Sequence, residues 1–350
     1  MILVTVRRAA LGALVAAALA ACSDTPAAPP VASATDSLTV NAAAAFTYLA
    51  LGTPAAVVPV INSATDAGWD MGFFATTVTL NGGAAGPGGV SGYCLRCNDA
   101  ATNAELQAMT PANQLAAFDS VTTADIPTAS AFVTDELAPA IHGWYTGSGA
   151  TASVTPGKAW IVIEGSGANV VLAKFRVTLI TGASATSMGQ VSFEFAVQPA
   201  PGQPFGAVQT PTVDASGPPV YFDLTTAQVG TAANWDLEFD GWSIRVNGGV
   251  SGTGTVKAVV DSTTAFAAID AAYASTAPPQ AFRADGFSGV FGRHPWYRYN
   301  ITGTDNQIWP TYSVYLVGRG TSVYKVQLTG YYDAAGTPRQ VTVRYAKVRN

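Results

Sequence analysis

The chain is 350 residues long, with 35 glycines, a net charge of −5 and 11% charged residues. That charge content is well under the roughly 25% usual in soluble proteins, and 17 lysines and arginines leave no basic footprint for nucleic acid. Strand formers and turn residues dominate while long Leu/Glu/Lys helical stripes are absent, so an all-β protein is expected, long enough for two domains.

Residues 1–21 hold Arg7 and Arg8 and then the apolar run AALGALVAAALAA. A charged segment before a run this short is a signal peptide and not a membrane span. The run ends in Leu19-Ala20-Ala21-Cys22, which resembles the lipobox of bacterial lipoproteins, making Cys22 the expected lipidation site. The Pro/Ala/Ser-rich stretch after it reads as a flexible tether over 22–44.

The body of the chain is written twice. Residues 69–90 align without gaps to 235–256, sharing Trp69/Trp235, Asp70/Asp236, Asn81/Asn247 and the glycines after each asparagine. IHGWYTGSG from Ile141 answers RHPWYRYN from Arg293, and QVSFEFA from Gln190 answers QVTVRYA from Gln340. Landmarks repeated in one order imply a tandem duplication, with repeats at 45–200 and 205–350 and a linker in the Pro/Gly-rich QPAPGQPFG. Within each repeat, FRVTLI, VSFEFAV and SVYKVQLTGYY alternate as strands do. NAELQAMTPANQLAAF, interrupted by Pro111, and AFAAIDAAYAS are the helical insertions. Trp69 and Trp235 read as core anchors, Asp70 and Asp236 as groups that pin neighbouring backbone, and Asn-Gly-Gly as a tight turn.

Cys94-Leu95-Arg96-Cys97 occurs in the first repeat alone. Asn98 follows where c-type haem attachment needs a histidine, and no second pair completes a four-cysteine zinc site. A local Cys94–Cys97 disulfide is expected of an exported protein.

The second half runs YFDLTTAQVGTAANWDLEF, the Asn-Gly-Gly turn, HPWYRYN, a proline, a Tyr-x-Val strand, KVQLTGYY and RQVTVRYA. This ordered set resembles the HmuY family, haem-binding lipoproteins of the bacterial surface, over nearly all of 205–350 and more loosely over 45–200. The resemblance implies two tandem, mostly antiparallel β domains of HmuY-like type with small helical insertions. It also implies outer-membrane anchoring through lipid, capture of haem and its delivery to an outer-membrane haem transporter.

Haem iron needs axial ligands such as His, Met, Cys or Tyr beside an apolar slot. The two histidines, His142 and His294, occupy equivalent places in the repeats and are the axial candidates, with Met109, Tyr145 and Tyr297 as supporting contacts. The family's ligand histidine before the later proline is replaced here by Asn306 and, in the first repeat, Ala152. Alternatively, each histidine merely precedes a structural Trp-Tyr pair. Two functions therefore stand side by side: capture of haem or another small ligand, and a non-haem β protein serving adhesion or partner docking. No Ser-His-acid set is evident, so an enzyme is not expected.

Overall fold

The computed structural model describes residues 35–349. The signal peptide, Cys22 and the first part of the tether lie outside them. Strands take 41% of the chain and helices 12%, so the fold is all-β.

In chain order the first half forms β1 (Asp36–Asn41), β2 (Thr47–Ala50), β3 (Ala56–Val58), β4 (Met71–Phe74), β5 (Thr77–Leu80) and β6 (Val90–Arg96). Helices α1 (Asn103–Ala108) and α2 (Leu115–Asp119) follow, separated at Pro111 as the sequence predicts, and Thr102 and Glu105 close a capping box on α1. Then come β7 (Leu137–Ala138), β8 (Tyr145–Thr146), β9 (Ser153–Val154), β10 (Ala159–Glu164), β11 (Val171–Thr181) and β12 (Gly189–Val197).

The second half repeats the order with β13 (Thr212–Ala215), β14 (Val220–Asp223), β15 (Gln228–Val229), β16 (Leu237–Asp240), β17 (Ser243–Val246) and β18 (Lys257–Asp261). Helix α3 (Ala271–Ala274), β19 (Gly286–Phe287) and α4 (Val290–Arg293) lead into β20 (Tyr297–Tyr299), β21 (Ile308–Pro310), β22 (Val314–Arg319), β23 (Ser322–Tyr332) and β24 (Pro338–Arg349).

The sheets are not assembled within the two sequence halves. One five-stranded sheet runs β1-β24-β23-β22-β6 and the other β13-β12-β11-β10-β18. Each is faced by a four-stranded sheet, β3-β2-β4-β5 and β15-β14-β16-β17, again in matching order. The two pairs of sheets match in strand order, and the two sequence halves have exchanged their C-terminal strands. Lobe I joins the first six strands to β20–β24, and lobe II is the continuous segment from β8 to β18.

Two sequence boundaries are corrected by this arrangement. The expected linker QPAPGQPFG joins β12 to β13, antiparallel neighbours in one sheet, so it is an inter-strand loop of lobe II. The tether ends before Asp36, because Leu38 and Val40 alternate inward on β1 and the strand pairs with β24 from Asp36↔Tyr345 to Asn41↔Gln340.

The crossing points explain why the sequence doubles Trp-Asp and Asn-Gly-Gly. Val133 exchanges both backbone bonds with Gly92 in lobe I, at 2.8 and 2.9 Å, and Arg283 does the same with Ala258 in lobe II. Asp135 then accepts the Leu80 N–H at 2.8 Å, and its carbonyl accepts the Ala84 N–H at 2.7 Å. Asp285 repeats this on Val246 and Val250, at 3.0 and 3.1 Å. Beyond these aspartates the two strands pass each other as β7 and β19, paired Leu137↔Phe287 and Ala138↔Gly286, and change lobes.

The second glycine of each turn makes this docking fit. A Cβ on Gly83 (φ 64°) would lie 2.2 Å from the Asp135 carbonyl oxygen, and one on Gly249 (φ 69°) 2.0 Å from that of Asp285. Asn81 and Asn247 fasten the turns, donating to the Trp69 and Trp235 carbonyls at 2.8 and 2.9 Å. Asp70 accepts the Leu51 N–H and Asp236 the Leu224 N–H, which is the backbone-pinning role read from sequence.

Each lobe has a core between its two sheets. In lobe II, Phe193 packs among Phe175, Phe195, Phe222 and Phe239, with ring centroids 5.1 to 6.0 Å apart. In lobe I the equivalent layer holds Leu49, Met71, Phe73, Tyr315, Val317 and Leu328. A second, smaller cluster lies on the outer face of each five-stranded sheet, centred on Phe118 in lobe I and on Phe266 in lobe II.

Candidate functional site

The outer sheet faces are where the lobes differ. In lobe I the segment over 97–131, carrying α1 and α2, covers the sheet; in lobe II only the shorter segment over 262–281 is available. The difference leaves a cavity of about 840 Å³ in lobe II, beneath α3 and the loop over 198–208. Its walls are mostly apolar, with Ile163, Leu172, Phe205, Ile269 and Phe282 among them. That volume lies within the range of small-molecule sites.

Lys174 is the charged group in this cavity that distinguishes it from lobe I. Its counterpart Lys325 on β23 donates to the Phe118, Asp119 and Val121 carbonyls at 3.1, 3.2 and 3.2 Å, matching its three N–H groups. Lys174 on β11 donates to the Phe266 carbonyl alone, at 3.0 Å. Its ammonium lies 4.6 Å from the Phe266 ring centroid and 5.8 Å from that of Phe205. Lys174 is 6% exposed, and burial, helped by the nearby Arg176 charge, pushes its pKa down. A buried cation with two N–H groups unspent is an attachment point for an anionic or acceptor head group.

Two other polar lining groups are already engaged. Gln198 accepts the Leu172 N–H at 2.9 Å and donates to the Gln203 carbonyl, while Asp270 caps α3 by accepting the Tyr273 N–H at 2.7 Å. Sequence reading missed Lys174 because a lysine in an alternating strand reads as outward-facing. The available signal was its pairing with Lys325, in AKFRV and YKVQL at matching places in the two repeats.

The residues proposed from sequence as iron ligands are elsewhere. None of His142, His294, Met109, Tyr145 or Tyr297 lines the cavity, and neither does any other histidine, methionine, cysteine or tyrosine. His142 is exposed on the lobe II side of the crossing, its Nδ1 3.2 Å from the Pro139 carbonyl. Tyr145 packs 4.6 Å from Trp144 and 4.7 Å from Trp242, and Tyr297 lies 5.3 Å from Trp296 in lobe I. Met109 caps the end of α1. The two histidines thus stand on different lobes, and the apolar cavity offers no donor suited to haem iron.

Cys94 and Cys97 are joined by a disulfide at the end of β6. A ring nitrogen of His294, from the second half of the chain, lies within 4.8 Å of both sulfurs, and Nδ1 of the same ring is 2.6 Å from Asp99 Oδ2.

No family model matches the chain, and no curated protein matches it. Among solved structures it is similar to a Bacteroides fragilis protein described provisionally as a lipoprotein, at 20% identity. That likeness covers 36% of this chain and 80% of the other, with a TM-score of 0.15, too slight an overlap to assign fold or function.

Proposed function

We propose that the protein is a cell-envelope lipoprotein, anchored through Cys22, whose lobe II captures a small amphipathic ligand with an anionic head. The observation that carries this reading is the apolar cavity with a buried, incompletely bonded lysine on its wall. The apolar body of the ligand would lie against Leu172, Ile269 and Phe282, and its head against Lys174 Nζ. Of the two functions open in the sequence, small-ligand capture is favoured over docking by this cavity. Haem capture and delivery to an outer-membrane haem transporter have no such support, since the cavity lining carries no iron ligand.

The test uses anilinonaphthalene sulfonate, an apolar fluorophore with an anionic sulfonate, titrated into the mature chain. One saturable site is expected, lost in Ala274→Trp, which fills the cavity, and weakened about tenfold in Lys174→Met, the scale of a lost charge-assisted hydrogen bond. Equal affinity in all three proteins would overturn the reading. Haemin added in parallel separates the alternatives: a low-spin Soret spectrum abolished by His142→Ala or His294→Ala would establish haem ligation instead.

A further inference from the structure

We propose that Cys94, Cys97 and His294 form a thiol–disulfide exchange site that accepts two electrons from a dithiol of a partner protein. The duplication supplies an internal control. Lobe II keeps the strand equivalent to β6, but β18 reads Lys-Ala-Val-Val-Asp and carries no cysteine. His142, the sequence counterpart of His294, has a backbone carbonyl beside its Nδ1 where His294 has a carboxylate. The dithiol chemistry and the carboxylate-bound imidazole therefore occur together in one lobe and are both missing from the other.

The disulfide is not needed to hold its loop. The Asn98 N–H donates to Ser313 Oγ at 3.0 Å and its side-chain amide to the Thr311 carbonyl at 2.7 Å. Arg298 donates to the Ala101 and Asp99 carbonyls, and Arg96 to the Ala117 carbonyl and Ser120 Oγ. A bridge between residues three apart also closes too short a loop to add much stability. Chemistry accounts for the pair better than stapling does.

The geometry divides the roles. Cys97 is exposed and Cys94 is 6% exposed, so an incoming thiolate reaches Cys97 Sγ. Its attack forms a mixed disulfide and breaks the Cys94–Cys97 bond, and the electron pair leaves on Cys94 Sγ. Protonated His294, a ring nitrogen of which lies within 4.8 Å of that sulfur, gives it a proton, with Asp99 on Nδ1 orienting the ring. The partner's second thiolate then attacks its own sulfur in the mixed disulfide, releasing Cys97 as a thiolate that is protonated from water. The partner dithiol is oxidised to a disulfide, its two protons pass to solvent, and the Cys94/Cys97 pair is reduced. The charged and titratable groups about His294 are Asp99 and Arg298 on the loop side, Tyr315 of β22, whose hydroxyl donates to the His294 carbonyl at 2.8 Å, and Arg293 preceding it.

The experiment follows reduction of the oxidised, folded chain by dithiothreitol across pH 6 to 9, with released thiols counted by maleimide labelling. Wild type is expected to be reduced while still folded. His294→Gln should slow reduction about tenfold or more at the acid end and little at the alkaline end, where the leaving thiolate needs no proton. Asp99→Asn, the positioning residue, should change the pH profile in the same direction by less. Reduction only after unfolding, or identical profiles in all three proteins, would overturn the proposal. So would one equivalent of zinc held tightly by the reduced chain through Cys94, Cys97 and His294, which would make the cluster a metal site.

Discussion

Expressed alone, residues 139–285 are expected to fold and unfold cooperatively, whereas 45–200, the first sequence repeat, is not. Every member of both lobe II hydrophobic clusters lies between Ala140 and Phe282, and all nine strands of its two facing sheets lie inside the fragment. The fragment also keeps Asp285, whose carboxylate accepts the Ala140 and Val246 N–H groups at 2.7 and 3.0 Å and closes the lobe. The first repeat keeps neither lobe whole. It lacks β1, leaves β6 without β22, and leaves β10 and β12 without β18 and β13.

Charge does not distinguish closing that repeat on itself from the observed arrangement. By register, Glu164 of β10 holds the place that Arg319 holds on β22, three residues beyond the partner of the buried lysine in each sheet. Arg319 pairs with Asp70 at 3.2 Å, so a self-closed first repeat would set Glu164 against Asp70 instead. Native lobe II already sets Glu164 beside Asp236 in the same way, so the missing strands, not charge, carry the expectation. Circular dichroism melting of the two fragments checks this. A sharp transition in the first repeat and none in 139–285 would contradict it.

Stability is expected to fall as pH rises from about 4 to about 7, because buried carboxylates must ionise inside the folded protein. Burial pushes Asp135 from the ordinary 3.8 to about 7, against the lowering effect of the Leu80 N–H. Burial does the same to Asp236, also to about 7, with Glu164 and Asp223 adding to the rise. Asp70, the sequence twin of Asp236, is raised by burial too, but Arg319 offsets part of it.

A carboxyl whose folded pKa lies above its unfolded one binds its proton more tightly when folded. Stability is therefore greatest below the unfolded value and is lost as pH climbs through the folded value. At about 1.4 kcal/mol per pKa unit, a rise of this size is worth roughly 4 kcal/mol for each aspartate as an upper bound. Asp261 acts in the opposite sense but outside this window. Burial tends to raise it, yet bonds from Tyr273, Thr263 and Thr264 outweigh that and hold it well below the usual carboxylate range. Asp236→Asn keeps an acceptor for the Leu224 N–H while removing the ionisation, so its melting temperature should depend less on pH between 4 and 7. A wild-type melting temperature that rises across that window, in parallel with the variant's, would contradict the account.

Much of the scaffold is legible in the sequence because it depends on local chemistry. Trp-Asp, Asn-Gly-Gly and the strand periodicities fix turns and buried faces wherever their partners come from. The exchange is not legible, because β10–β12 and β22–β24 carry the same pattern, and a period of two says which face is buried but not which strand lies alongside. The loop over 198–206 has the composition of a linker, and only its pairing partners show that it joins neighbours in one sheet.

The candidate sites were hidden for related reasons. The cavity results from what covers the sheet, a difference in loop length between the repeats, and not from any motif. His294 reaches the Cys94–Cys97 pair only because the second half of the chain crosses into lobe I after Asp285.

Disulfide trapping tests that exchange most directly. Thr39 lies opposite Thr342 with their hydroxyl oxygens 3.3 Å apart, and the matching pair in lobe II is Ser192 and Thr212 at 2.7 Å. Directly paired antiparallel residues stand within the Cα range a disulfide spans. In the oxidised monomer, peptide mass mapping should find the bridge complete in Thr39→Cys with Thr342→Cys and missing from Thr39→Cys with Ser192→Cys. A bridge in the second variant and none in the first would mean that each repeat closes on itself.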